Sequence, residues 1–303
     1  MKLAVMAACA ALMIPVVSSL AQAPKPAAKP PAAPKPPPVV SADDAVKLEA
    51  LVGTALRAKP AKARKVLVFS KCEGFVHGDG IVYGIKALEL AAKTGAFQAD
   101  FATDYAVLND KANLFTYDAV VLNNTTRLKT KENPALVPNL IEFVKSGRGL
   151  CVIHAGADNF YDAPEAAEMV GGQFDGHPWG GGGTWAFKLD EPGHPLNQAF
   201  GGQSFKAGDE IYQQKSPFYD RSKLRVLVSL DLSDEKTGAA KGQKRADKDY
   251  AVSWVRPYGD GRVFYTSFAH DKRSYLDKAR LTHILDGLQY TLGDLKVDDK
   301  PKQ

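Results

Sequence analysis

Lys65-Val66-Leu67-Val68-Phe69-Ser70, Ala119-Val120-Val121-Leu122 and Leu150-Cys151-Val152-Ile153 are three short, nearly continuous apolar runs. Runs of this length and β-branched content predict parallel strands buried on both faces. Amphipathic stretches separate them. Gly74, Gly78 and Gly80 punctuate a loop, after which a helix is expected from about 81 to 94, stopped by Gly95. Phe97 to Ala102 reads as another strand, followed by a loop and short helix over 109–115. A helix over 134–146 ends at Gly147. Strands alternating with helices of this length make βαβ units, hence a doubly wound α/β domain with helices on both faces of a parallel sheet.

Outward from this core the pattern changes. Ser41 with Asp44 predicts a capped helix carrying Val46, Leu48, Leu51, Val52, Ala55 and Leu56 on one stripe. Beyond about residue 183 come shorter β-like pieces at 185–187, 210–212, 226–228, 251–255 and 263–268, then a closing helix over 277–292. Residues 233–248, rich in Lys, Gly and Asp, read as an exposed hairpin loop.

Residues 1–23 have the marks of a cleavable signal peptide. Lys2 precedes an apolar run from Leu3 to Val17, too short to span a bilayer, and Ala21-Gln22-Ala23 supplies a cleavage site. Residues 24–40 are almost only Pro, Ala and Lys and read as a semi-rigid spacer. Residues 41–295 then form a single domain and 296–303 a polar tail. Export to the periplasm or beyond follows as an expectation, with no membrane span after cleavage. The net charge of +5 comes mainly from Lys2, Lys25, Lys29 and Lys35, so the remaining chain carries about +1. A near-neutral body argues against a nucleic-acid partner. Of the cysteines beyond the signal region, Cys72 follows one strand's C-terminal end and Cys151 lies near another's N-terminal end, a separation that argues against a disulfide.

In open parallel sheets, ligands bind at the carboxyl ends of the strands. His77 follows the first strand, His154 follows Ile153 directly, and His270 follows the 263–268 strand. His177, ahead of Gly180 to Gly183, could fold over the same mouth. His194 and His283 read as structural. Imidazoles there suit acid–base work or metal binding. No H-x-x-x-H or H-x-H spacing is present, so a divalent ion held by His77, His154 and His270 would need loops distant in sequence. Glu210 and Asp158 are candidate general bases, whereas Asp209 could equally be a surface turn residue. Trp179, Trp185, Tyr161 and Tyr212 could stack on a sugar, and His177, Trp179 and Tyr212 are the expected substrate contacts. The glycine run lacks the partners of a phosphate loop, and no dinucleotide fingerprint follows the first strand.

Taken as a set, Lys65 to Ser70 with Cys72 to His77, Gly149 to His154, Phe174-Asp175-Gly176-His177-Pro178, Asp209 to Tyr212, Val252 to Arg256 and Gly261 to Ser267 resemble the ThuA-like, or trehalose-utilisation, family. The resemblance implies a flavodoxin-like core similar to class I glutamine amidotransferases. Where those enzymes place a nucleophilic cysteine, this chain carries His154, with Cys151 inside the strand, so thiolate chemistry on glutamine is not expected. The family association implies a small-molecule carbohydrate partner, a disaccharide or glycoside handled as a 3-keto intermediate. Three readings stay open: a sugar-converting lyase, isomerase or hydrolase with histidines at the strand ends, a non-catalytic sugar-binding accessory protein, and, behind both, a hydrolase using Cys72 or Cys151. Oligomeric state is not legible.

Overall fold

A computed structural model of the chain describes residues 38–302; the signal-peptide and most of the spacer segments lie outside the described residues. Nine strands form one sheet: β1 (Lys65–Phe69), β2 (Gln98–Ala102), β3 (Ala119–Asn123), β4 (Gly149–Ile153), β5 (Thr184–Leu189), β6 (Phe205–Gly208), β7 (Arg225–Leu230), β8 (Ala251–Tyr258) and β9 (Gly261–Thr266). Their order is β2-β1-β3-β4-β9-β8-β7-β5-β6. The first five are mutually parallel and reproduce the flavodoxin-like 2-1-3-4-5 order, with β9 in fifth place. The last four join by antiparallel pairing, which accounts for the short strands of the C-terminal half.

Alternation along the strands divides the core between two helix layers. Val66, Val68, Val121, Cys151 and Ile153 face the helices Ala42–Ala55, Gly78–Lys93 and Lys278–Thr291. Leu67, Phe69, Val120, Leu122, Leu150 and Val152 face Leu136–Lys145 and Pro164–Val170. The Ser41 hydroxyl accepts from the Asp44 amide, as its position predicts. Cys72 and Cys151 are both free, and Cys151 is buried. No helix among the described residues is long and apolar enough to cross a membrane.

Several expectations change. The helix after β1 begins at Gly78 rather than 81. Its glycines serve close packing: a Cβ on Gly80 would stand 2.6 Å from the Ala269 carbonyl oxygen and 2.8 Å from that of His270. The 109–115 segment forms two single turns, Ala106–Asn109 and Lys111–Leu114. Residues 210–212 are no strand; Ile211 only bridges to Trp179, while the edge strand β6 lies just before them. The β7–β8 connection is not wholly exposed, since Thr237 within it is fully buried.

Candidate metal centre

The chain ends each parallel strand in a loop at one edge of the sheet; three such loops, after β1, β4 and β9, carry the histidines, and Glu210 follows the antiparallel strand β6. His77 immediately precedes helix Gly78–Lys93 after β1, and its side chain makes no capping hydrogen bond to that helix. His154 opens the single turn after β4 and holds a left-handed backbone, φ 47°. Ala269, just before His270, is also left-handed at φ 85°. Such conformations are costly for residues with a Cβ and concentrate where surrounding structure enforces a special geometry. Gly156 permits the tight turn after His154, because a Cβ there would lie 2.6 Å from Val152 Cγ1.

His77, His154, His270 and Glu210 converge, with one donor atom from each lying within 4.8 Å of the others. Glu210 Oε1 is 3.4 Å from His270 Nδ1, 3.8 Å from His154 Nε2 and 4.0 Å from His77 Nε2. These separations are long for hydrogen bonds and close to the roughly 3.4 Å edge of a tetrahedron with bonds of about 2.1 Å to one ion. His154 Nε2 and His270 Nδ1 are buried and have no hydrogen-bond partner. His154 Nδ1 lies 2.6 Å from the Ser267 carbonyl oxygen. A carbonyl only accepts, so Nδ1 carries the proton and the Nε2 lone pair faces the cluster, the arrangement of a ligand steadied from behind.

Electrostatics agree with this division. Burial, with His77 and His270 beside it, pushes the His154 pKa well below the ordinary range, so the ring is neutral. For Glu210, burial acts to raise the pKa, but the surrounding imidazoles of His270, His77 and His154 pull it far below the usual carboxylate range. His270 is raised: burial opposes its charge, and Glu210 more than offsets that. A carboxylate ringed by three imidazoles matches the ligand chemistry of a divalent transition-metal ion.

Asp209 is not a surface turn residue. It is 1% exposed and accepts from the amides of Glu210, Ala269 and His270 at 2.9, 3.1 and 3.2 Å, from the Ser274 hydroxyl, and faces Arg280. One buried carboxylate thus ties the loop of Glu210 to the loop of His270.

The cluster opens into a cleft of about 510 Å³ lined by His77, Glu210, His270, Tyr212, Phe174 and His177, together with Phe75, Arg127 and Asp158. His177 is half-exposed and its Nδ1 lies 3.6 Å from Glu210 Oε2, so it does fold over the mouth. Tyr212 is buried, its hydroxyl 3.3 Å from His77 Nε2. Trp179, expected to touch substrate, does not: it is fully buried against Tyr250 and donates to the Thr237 carbonyl oxygen at 2.9 Å. Trp185 is likewise enclosed, its indole donating to Gly180 and Asp209 carbonyl oxygens. Asp158 lines the cleft but stands outside the cluster, beside Arg127 and Tyr161. His194 and His283 are structural; His283 is buried between Ser253 and the Leu196 carbonyl. Arg127 escaped the sequence reading. It follows β3, and the strand-end rule applied to that loop as well would have singled it out.

A doubly wound sheet with a three-histidine, one-carboxylate cluster at its strand ends therefore defines the class of protein. The chain belongs to the ThuA family, described as trehalose utilisation, whose model matches residues 65–291. Among solved structures it is similar to a ThuA-like protein of Bacteroides uniformis, at 21% identity, covering 77% of this chain and 94% of that one, with a TM-score of 0.61. A ThuA-like protein of Parabacteroides merdae matches at 17% identity over 79% and 93% of the two chains, TM-score 0.55. A cytoplasmic protein of Salmonella typhimurium LT2 matches at 15% over 75% and 99%, TM-score 0.50. At these identities the likeness speaks for the fold. No curated protein sequence matches the chain.

Proposed function

We propose that the protein is an exported enzyme of carbohydrate catabolism whose reactive centre is a divalent ion held by His77, His154, His270 and Glu210. The convergence of nitrogen donors on a partly buried carboxylate, with His154 Nε2 and His270 Nδ1 unsatisfied, is the observation that carries this reading. The family description supports a sugar as the substrate class, and the features of residues 1–23 support export.

A bound ion would act as a Lewis acid toward a carbonyl or hydroxyl oxygen in the cleft. A 3-keto sugar suits such a centre, because the keto group acidifies the adjacent C–H and isomerisation or β-elimination then needs only a base and an electrophile. His154 has no exposed surface, so it holds rather than exchanges protons with substrate. His177, half-exposed on the glycine-rich segment and within reach of Glu210, is placed to take or return a proton at the open side. Tyr212, its pKa pushed far upward by burial and by Glu210, stays a neutral phenol able to donate a hydrogen bond.

The test is metal content and turnover of a 3-keto-disaccharide panel by the purified protein, before and after chelation, beside His154→Gln. Stoichiometric metal and chelator-sensitive turnover, both lost in His154→Gln, are expected. A wild type that takes up no divalent ion, or a fully active His154→Gln protein, would overturn the reading.

A further inference from the structure

The part of the cleft lining outside the His77–His154–His270–Glu210 cluster has a chemistry of its own, and its interpretation rests on the cluster being the reactive end of the cleft. Arg127 sits in the turn after β3 with a left-handed backbone, φ 51°. Its amide donates to the Asp158 carbonyl oxygen at 2.8 Å, and its Nε stands 3.1 Å from Asp158 Oδ1. The guanidinium lies 4.1 Å over the Tyr161 ring. The aliphatic stem runs across Gly74, where a Cβ would come 2.5 Å from Arg127 Cγ. Stacked, paired and packed from below, this arginine is held in place although its side chain is 52% exposed.

Its terminal nitrogens donate no hydrogen bond among the described residues. Asp158 Oδ1 is engaged by the Tyr161 hydroxyl and by Arg127, leaving Oδ2 as an open acceptor. The pair thus presents fixed donors and a fixed acceptor side by side, with its charges cancelled. Phe75, 69% exposed, stands at the rim beside His77, the two rings 4.8 Å apart.

We propose that Arg127, Asp158 and Phe75 form a subsite for the vicinal hydroxyls of a neutral pyranose. A diol both donates and accepts, so it meets Asp158 and Arg127 together, and the C–H face of the ring lies on Phe75. An anionic sugar would gain Arg127 but face the Asp158 carboxylate beside it. The same placement withdraws Asp158 from the role of general base, since it is committed to holding Arg127 and the sugar.

The experiment measures calorimetric binding of trehalose and of glucuronate to the full chain, with a parallel Mn2+ and Zn2+ titration, for wild type, Arg127→Met, Arg127→Lys and Phe75→Ala. Trehalose is expected to bind wild type more tightly than glucuronate does. Arg127→Met should weaken trehalose at least about tenfold, from loss of hydrogen bonds to a charged group, with metal affinity unchanged. Arg127→Lys keeps the charge but not the fork, and should recover only part of the loss. Unchanged trehalose affinity in a folded Arg127→Met or Arg127→Lys protein, preference for glucuronate, or no saturable trehalose binding by wild type would each overturn the subsite. Loss of trehalose binding in Arg127→Met, in a protein whose wild type takes up no metal, would support the subsite while removing the metal centre.

Discussion

Replacing Asp209 with alanine should both destabilise the protein and loosen the cluster of His77, His154, His270 and Glu210. The carboxylate accepts from three amides at 2.9–3.2 Å and from Ser274, and it is the buried counterion of Arg280, whose side chain is 8% exposed. Burial raises its pKa, opposed by Ser274, Arg280 and the Ala269 amide. Removing it strands the Ala269 and His270 amides, at about 1–3 kcal/mol for each unsatisfied buried group, and leaves the buried Arg280 guanidinium with only the half-exposed Asp277 as its anion. Arg280 keeps the carbonyl oxygens of Gly208 and Arg273, and the losses overlap, so about 3–5 kcal/mol is expected rather than their sum. That is a large part of the roughly 5–15 kcal/mol that a folded domain has to lose. Because the amides belong to the loops of Glu210 and His270, metal affinity should fall by about 10–100-fold, the usual cost of losing a group that orients ligands. Urea unfolding of the metal-free protein gives the first quantity and metal titration below the unfolding transition the second. Asp209→Asn, which retains one acceptor oxygen, should fall between. Stability within about 0.5 kcal/mol of wild type would refute the structural role. A destabilised Asp209→Ala protein with unaltered metal affinity would refute the positioning role.

Three further outcomes are expected. A divalent ion at a hundredfold excess over its Kd should stabilise the folded chain by about 2.7 kcal/mol and raise Tm by roughly 5–10 °C, an effect absent from His154→Gln in scanning calorimetry. His283, buried and lowered from 6.5 to about 4 by burial, takes up its proton in the unfolded chain first. Stability is therefore present above about pH 6.5 and lost as pH falls toward 4, by up to roughly 3 kcal/mol. His283→Gln should flatten that part of a stability–pH curve, and an unchanged slope would count against it. Gly80→Ala, whose methyl would press on the Ala269 and His270 carbonyl oxygens, should cost about 1–3 kcal/mol by chemical denaturation and weaken metal binding through His270.

Much of the frame was legible because it follows from local physics. Apolar runs at 65–70, 119–122 and 150–153 can only be satisfied between two helix layers, so the parallel core and its strand ends follow from pattern alone. Once the ends are known, His77, His154 and His270 fall on one edge of the sheet. The free state of Cys72 and Cys151 follows equally, since Cys72 lies beyond the C-terminal end of β1 and Cys151 lies within β4. Glu210, Asp209 and Trp179 lie in the 174–214 region, where short pieces have no periodicity that distinguishes a core indole from a sugar platform. There the antiparallel extension decides: pairing of Ile211 with Trp179 turns the indole inward against Tyr250 and brings Glu210 under the three histidines. Arg127 is the same kind of case, an ordinary charged loop residue until β3 and β4 set it beside Asp158 and Tyr161. By itself the sequence determined the parallel core of the sheet, the helices that cover it and the edge at which ligands gather, since hydrophobic periodicity is a property of neighbours along the chain. Only the tertiary structure decided which side chains share that edge, because donors within 4.8 Å of one another come from residues 77, 154, 210 and 270, and no spacing along the chain records their distance in space.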